Sequence, residues 1–108
     1  MGAPENEVQK ACLEYLHLKG IFCWRQNNQG RYLPKAGRWI PTAGMKGVAD
    51  IIGIYRGRFL AVECKAPGGK QSHEQMQFEI SVTMNNGYYF LVSSIGGFKN
   101  SLDAIEKV

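Results

Sequence analysis

Two apolar, β-branched runs, Ile51–Tyr55 and Phe59–Cys64, flank the dipeptide Arg56-Gly57. Runs of this kind around a short turn read as a β-hairpin. An even-length turn centred on Arg56-Gly57 pairs Tyr55 with Arg58, Ile54 with Phe59, Ile52 with Ala61 and Ile51 with Val62. The same register sets Asp50 opposite Glu63, with Cβ atoms about 5 Å apart. Lys65, two residues past Glu63, projects from the same face. A slip of one residue would send Asp50 to the other face, so the turn length governs the whole arrangement.

Like charges directly opposite on a ladder destabilise it unless a cation lies between them. A divalent metal meets that need, because Mg²⁺ takes one or two carboxylates and keeps several waters. A lysine beside it supplies a compact positive charge for a water or a phosphate. The plainer alternative is a solvated strand end carrying a Glu–Lys pair and a helix-capping Asp. Spacing leaves both open.

The hairpin strands are apolar on both faces, which calls for a central sheet covered by helices on each side. Glu5–Lys19 reads as a first helix, with Pro4 in its first turn and Gly20 at its C-cap. Val8, Ala11, Cys12, Tyr15 and Leu16 form its apolar stripe. Glu7 falls just outside that stripe, where it serves either as a first-turn acid on the helix dipole or as a reach toward Asp50 and Glu63. Ile21–Arg25 reads as a short strand. Ser72-x-x-Gln75 fits a capping box opening a helix to about Asn85, ended by Gly87 in a left-handed cap. Tyr88–Ser93 reads as a final strand and Asn100–Lys107 as a closing helix.

With 108 residues, 44% of them apolar and 20% charged, the chain reads as one ordinary globular α/β domain. It contains no apolar run of membrane-spanning length, and MGAPENEVQK lacks the apolar region of a signal peptide. Cys12, Cys23 and Cys64 show no C-x-x-C spacing and read as buried thiols of a reducing compartment. His17 and His73 stand apart from any Cys or His partner and read as helix-end or surface residues.

The net charge is +4. Arg25, Arg31, Lys35, Arg38 and Lys46 follow one another with no acid between them, interleaved with Tyr32 and Trp39. Gly30, Pro34, Gly37 and Pro41 break the stretch, so it reads as an irregular loop, of a length that usually carries function. Basic, aromatic and irregular together suit a phosphate backbone with unpaired bases nearby. Asn27 at its start and Lys70, in the turn after Lys65, extend the set of candidate nucleic-acid contacts. Trp39 fits equally well folded back on the core.

Asp50 followed by Glu63-Cys64-Lys65 resembles the D…(D/E)-x-K core of the PD-(D/E)XK nucleases. The wider pattern is similar to the VRR-NUC branch: Glu7, Trp24-Arg25-Gln26-Asn27, Gly47-x-x-Asp50, Glu63-x-Lys65 and Gln75, in that order from Glu7 to about Val92. Ala49 stands where the family name has Pro. The resemblance implies a restriction-endonuclease-like αβββαβ core, a mixed central sheet flanked by helices. It implies a DNA endonuclease dependent on Mg²⁺ or Mn²⁺, with Asp50, Glu63 and the Cys64 backbone carbonyl as ligands and Glu7 in support. Lys65 would orient the attacking water, and Gln75 would contact that water or a phosphate, beside its capping role. Stand-alone domains of this kind suggest a phage or prophage protein of the bacterial cytoplasm that cuts branched DNA such as Holliday junctions. Symmetric cutting would call for a homodimer. Phe98, Leu102 and Ile105 suit either its interface or the chain's own core. A flap nuclease or nickase without junction preference, an RNA nuclease and a non-catalytic nucleic-acid-binding module remain alternatives.

Overall fold

A computed structural model describes residues 3–26, 31–40 and 44–107. Arg56 and Gly57 both take positive φ, 52° and 78°, as a type I′ turn requires, and this turn matches the right-handed twist of its strands. It joins β4 (Ile51–Tyr55) to β5 (Arg58–Cys64), with Tyr55 opposite Arg58 and Ile51 opposite Val62. The register is the one the two-residue turn predicts.

Around this hairpin the sheet order is β1-β4-β5-β6, with β1 at Phe22–Arg25 and β6 at Tyr88–Val92. β1 pairs antiparallel with β4, and β6 pairs parallel with β5 through the crossover helix α2 (His73–Met84). The fold is therefore mixed α/β. α1 (Ala3–Leu18) and α3 (Ile95–Glu106) cover one face of the sheet. There Cys12, Leu16, Phe98 and Leu102 close over Ile51, Leu60, Val62 and Cys64. α2 covers part of the other face, with Phe78 and Val82 against Ile52, Ala61 and Tyr89.

α1 ends as its sequence suggests. Gly20, at φ 76°, donates to the His17 carbonyl while Ile21 donates to that of Leu16, a Schellman motif. His17 Nε2 then lies 3.0 Å from the Cys23 carbonyl on the outer edge of β1, where an unpaired strand group would otherwise face water.

Three expectations change. The basic stretch is not wholly irregular: Arg31–Leu33 and Arg38–Ile40 pair as a second hairpin, β2 and β3. Pro34 and Gly37, read as breakers, form its turn, with Gly37 at φ 63°. The left-handed residue after α2 is Asn86, at φ 64°. Gly87 follows it because a Cβ there would press on the Val82 side chain. α3 begins at Ile95 and not at Asn100, since the Ser94 hydroxyl caps it by accepting from Gly97 N–H. Of the two roles open to Phe98, Leu102 and Ile105, the core is the one filled: Phe98 and Leu102 are buried in it and Ile105 packs against it.

Candidate active site

β4 stops at Ile51, where Cys64 would need Ala49 as its next partner across the ladder. The Asp50 side chain takes that bond instead, its Oδ2 accepting from Cys64 N–H at 2.8 Å. A residue's N–H and C=O leave a strand on the same side, so the Cys64 carbonyl also points toward Asp50. Lys65 N–H points the other way and donates to Val92 at 2.8 Å. Asp50 is held from behind as well, its own carbonyl accepting from Gln26 N–H at 2.7 Å.

The loop carrying Asp50 is pressed against α2. Gly47 has φ 81°, and a Cβ on it would collide with the backbone of Glu74 in the first turn of the helix. Glycine is needed there for both conformation and clearance. The same first turn contributes Gln75, completing the capping box with Ser72 in both directions. Its Oε1 accepts from Ser72 N–H at 2.8 Å while its Nε2 donates to Glu63 Oε2 at 3.2 Å. The capping role is thus filled, and the amide nitrogen of the same side chain reaches a site carboxylate.

Glu63 is 2% exposed. Lys65 Nζ lies 3.9 Å from its Oε2, whereas Oε1 is buried without a hydrogen-bond partner. Burial first, then the charge of Asp50, raises the Glu63 carboxyl to about 8, with Lys65 opposing the shift. An orphaned carboxylate oxygen in such a place is costly, and a proton or a cation would relieve it.

The first-helix acid at this centre is Glu5. Its Oε2 accepts from Ala66 N–H at 3.4 Å, and its charge adds to the shift on Glu63. Glu7 is exposed, because two helical residues differ by about 200° in direction. Glu5 lies in phase with Val8, Cys12 and Leu16, and that phase was the signal available in the sequence. Gln71 and Tyr89 were also missed. Gln71 Nε2 donates to Glu79 Oε1 at 3.1 Å and to Tyr89 Oη at 3.0 Å, tying the turn after Lys65 to α2 and β6. Burial pushes the Tyr89 phenol up to about 12, so it stays neutral. Cys64 turns its thiol to the opposite face, into the core beside Cys12, and that neighbouring thiol, then burial, raises its pKa. The three cysteines are free and buried.

Asp50, Glu63, Lys65, Gln75 and the Cys64 backbone therefore come together. Among the nucleic-acid candidates, Arg25, Lys35, Arg38, Lys46 and Lys70 are exposed. Arg31 and Trp39 lie on β2 and β3, and Asn27 lies outside the described residues. No group of three or more His, Cys, Asp or Glu side chains poised for a metal ion occurs among the described residues. Two carboxylates and a carbonyl suffice for an ion that retains water. No helix among the described residues is long and apolar enough to cross a membrane.

The chain matches no family model, no curated protein and no solved structure.

Proposed function

We propose that the protein is a metal-dependent phosphodiesterase acting on DNA, of the PD-(D/E)XK type and nearest in pattern to the VRR-NUC branch. The α/β frame, with its acids at the open end of the β4–β5 hairpin and a helix following, is consistent with a restriction-endonuclease-like core. The observation that carries the reading is Glu63, a buried carboxylate with one oxygen unpartnered, facing Asp50 and accompanied by Lys65. A structural ion pair would satisfy both oxygens, and a surface acid would be solvated. A site that takes up a divalent ion accounts for both departures.

Asp50, Glu63 and the Cys64 carbonyl would hold Mg²⁺ or Mn²⁺, with Glu5 adding negative charge from α1. The bound ion would polarise a phosphate and acidify a coordinated water. Lys65 orients that water and offsets the charge that builds on phosphorus-bound oxygens. Gln75 keeps Glu63 oriented and presents its amide at the rim. Hydrolysis of this kind forms no covalent enzyme intermediate. Branched DNA is the proposed substrate, and paired nicks in a junction would require two copies of the site.

The test is cleavage of labelled four-way junction, flap and plain duplex DNA, and of matching RNA, in Mg²⁺, Mn²⁺ or EDTA. Lys65→Ala and Asp50→Asn serve as controls. Metal-dependent cutting abolished by both variants supports the reading. Intact binding without cutting of any substrate sinks it in favour of a binding module.

A further inference from the structure

α2 leaves half of its sheet face bare. Counted by register, three rows run across β1, β4 and β5 on that face: Gln26, Asp50 and Glu63; then Trp24, Ile52 and Ala61; then Phe22, Ile54 and Phe59. The first row holds the acids. The outer side chains lie open, with Phe22 67% and Trp24 42% exposed. Ile54 and Phe59 beside them are exposed too. The rings of Phe22 and Trp24 are 5.4 Å apart. Trp24 is also fixed in place, since its Nε1 donates at 3.1 Å to Oε1 of Gln26, the neighbour of Asp50. Successive rows on one face of a strand are about 7 Å apart. The aromatic side chains thus form a line that begins one row from the acid pair and leads away from it. Beyond Phe59 the surface continues into a groove of about 530 Å³ between α2 and Met45–Lys46.

Charge decides between possible occupants. From Ile21 to Val62 the chain carries seven Lys and Arg (Arg25, Arg31, Lys35, Arg38, Lys46, Arg56, Arg58) against the single acid Asp50, a net +6. The remaining six cations and eight acids give −2. Arg25, Arg56 and Arg58 lie on the α1–α3 side of the sheet, the last two against Ile105 and Tyr88, while Lys46 lines the groove beside Phe59 on the bare side. A second copy docked face to face would bring two such surfaces together, whereas a polyanion is attracted. Rings aligned with the acid pair and running on to Lys46 in the groove fit bases more closely than they fit a partner protein.

We infer that the Phe22–Trp24 face is a stacking platform for unpaired nucleotides of the strand whose phosphate lies at Asp50 and Glu63. The preferred substrates then carry single-stranded DNA next to the cut, as flaps and opened junctions do. This deepens the nuclease reading and rests on it for the placement of the strand, but the binding itself is measured without it.

Trp24 and Trp39 are the two tryptophans, so a Trp39→Phe background makes Trp24 the fluorescent reporter. In EDTA, a short oligothymidylate should quench that signal. Trp24→Ala and Phe22→Ala should each weaken single-strand affinity about tenfold or more, with Trp24→Tyr retaining most of it and melting temperatures unchanged. Blunt duplex affinity should move much less. Unchanged single-strand affinity in both alanine variants overturns the proposal. So does a dimer, seen by light scattering, that Phe22→Arg dissociates without loss of single-strand binding, because a second copy would then own the face. Trp24-dependent binding without cleavage of any substrate would support the platform while removing the nuclease reading, so the two fail separately.

Discussion

Gln75 reaches Glu63 at 3.2 Å with the amide nitrogen of the side chain whose oxygen caps α2. Helix start and buried acid are thereby coupled. Gln75→Ala should cost about 1 kcal/mol of stability through the lost cap and freed carboxylate. Gln75→Glu keeps the capping box but turns a third carboxylate toward Glu63. Its metal-free form should melt below the wild type at alkaline pH, and millimolar Mg²⁺ should narrow that gap. Thermal melts with and without the ion measure both effects.

Glu63 sets the pH dependence of the metal-free protein. Its carboxyl is raised from 4.5 to about 8. Between those values the folded chain keeps a proton that the unfolded chain has released. Stability from this group is therefore greatest at low pH and declines as pH rises toward 8. The swing is on the order of a few kcal/mol. Glu63→Gln should remove it, leaving a flatter profile in calorimetry from about pH 5 to about pH 8. The same variant should abolish any stabilisation by Mg²⁺.

Gly47 joins the acid loop to α2. Gly47→Ala meets both a left-handed φ of 81° and the Glu74 backbone. The expected cost is about 2 kcal/mol or more. Because Asp50 lies three residues on, metal affinity should fall as well, which isothermal titration would read directly.

Glu5 and Glu7 separate helix phase from composition. Glu5→Gln should lower the titration midpoint of Glu63 and weaken ion binding severalfold, since one of the charges raising that carboxyl is gone. Glu7→Gln should leave both unchanged. Carboxyl-carbon NMR titration of the two variants distinguishes them.

The parts legible in the sequence were those fixed by short-range rules. Turn length and side-chain alternation gave the Asp50–Glu63 facing, and S-x-x-Q gave the start of α2. What was missed had competing causes. Three-residue strands such as β2 and β3 are too short for alternation to register, and Pro34 and Gly37 masked their turn. Gly96 and Gly97 hid the first turn of α3, which the Ser94 cap and the burial of Phe98 sustain. Glu7 was favoured over Glu5 by family pattern, although the phase of the apolar stripe points to Glu5. The bare half-face around Trp24 was not foreseen because apolar strands suggested full cover.

The two-residue turn at Arg56-Gly57 also orders events in time. A hairpin of this length closes within microseconds, starting from its turn, so the Tyr55–Arg58 rung forms early and the Asp50 end closes last. The acids are thus the last rung to close, and once Glu63 loses its proton their mutual repulsion makes that rung the first to fray. Brief opening there would admit an ion or a phosphate while the apolar rungs stay shut, giving entry to a buried carboxylate without unfolding the domain.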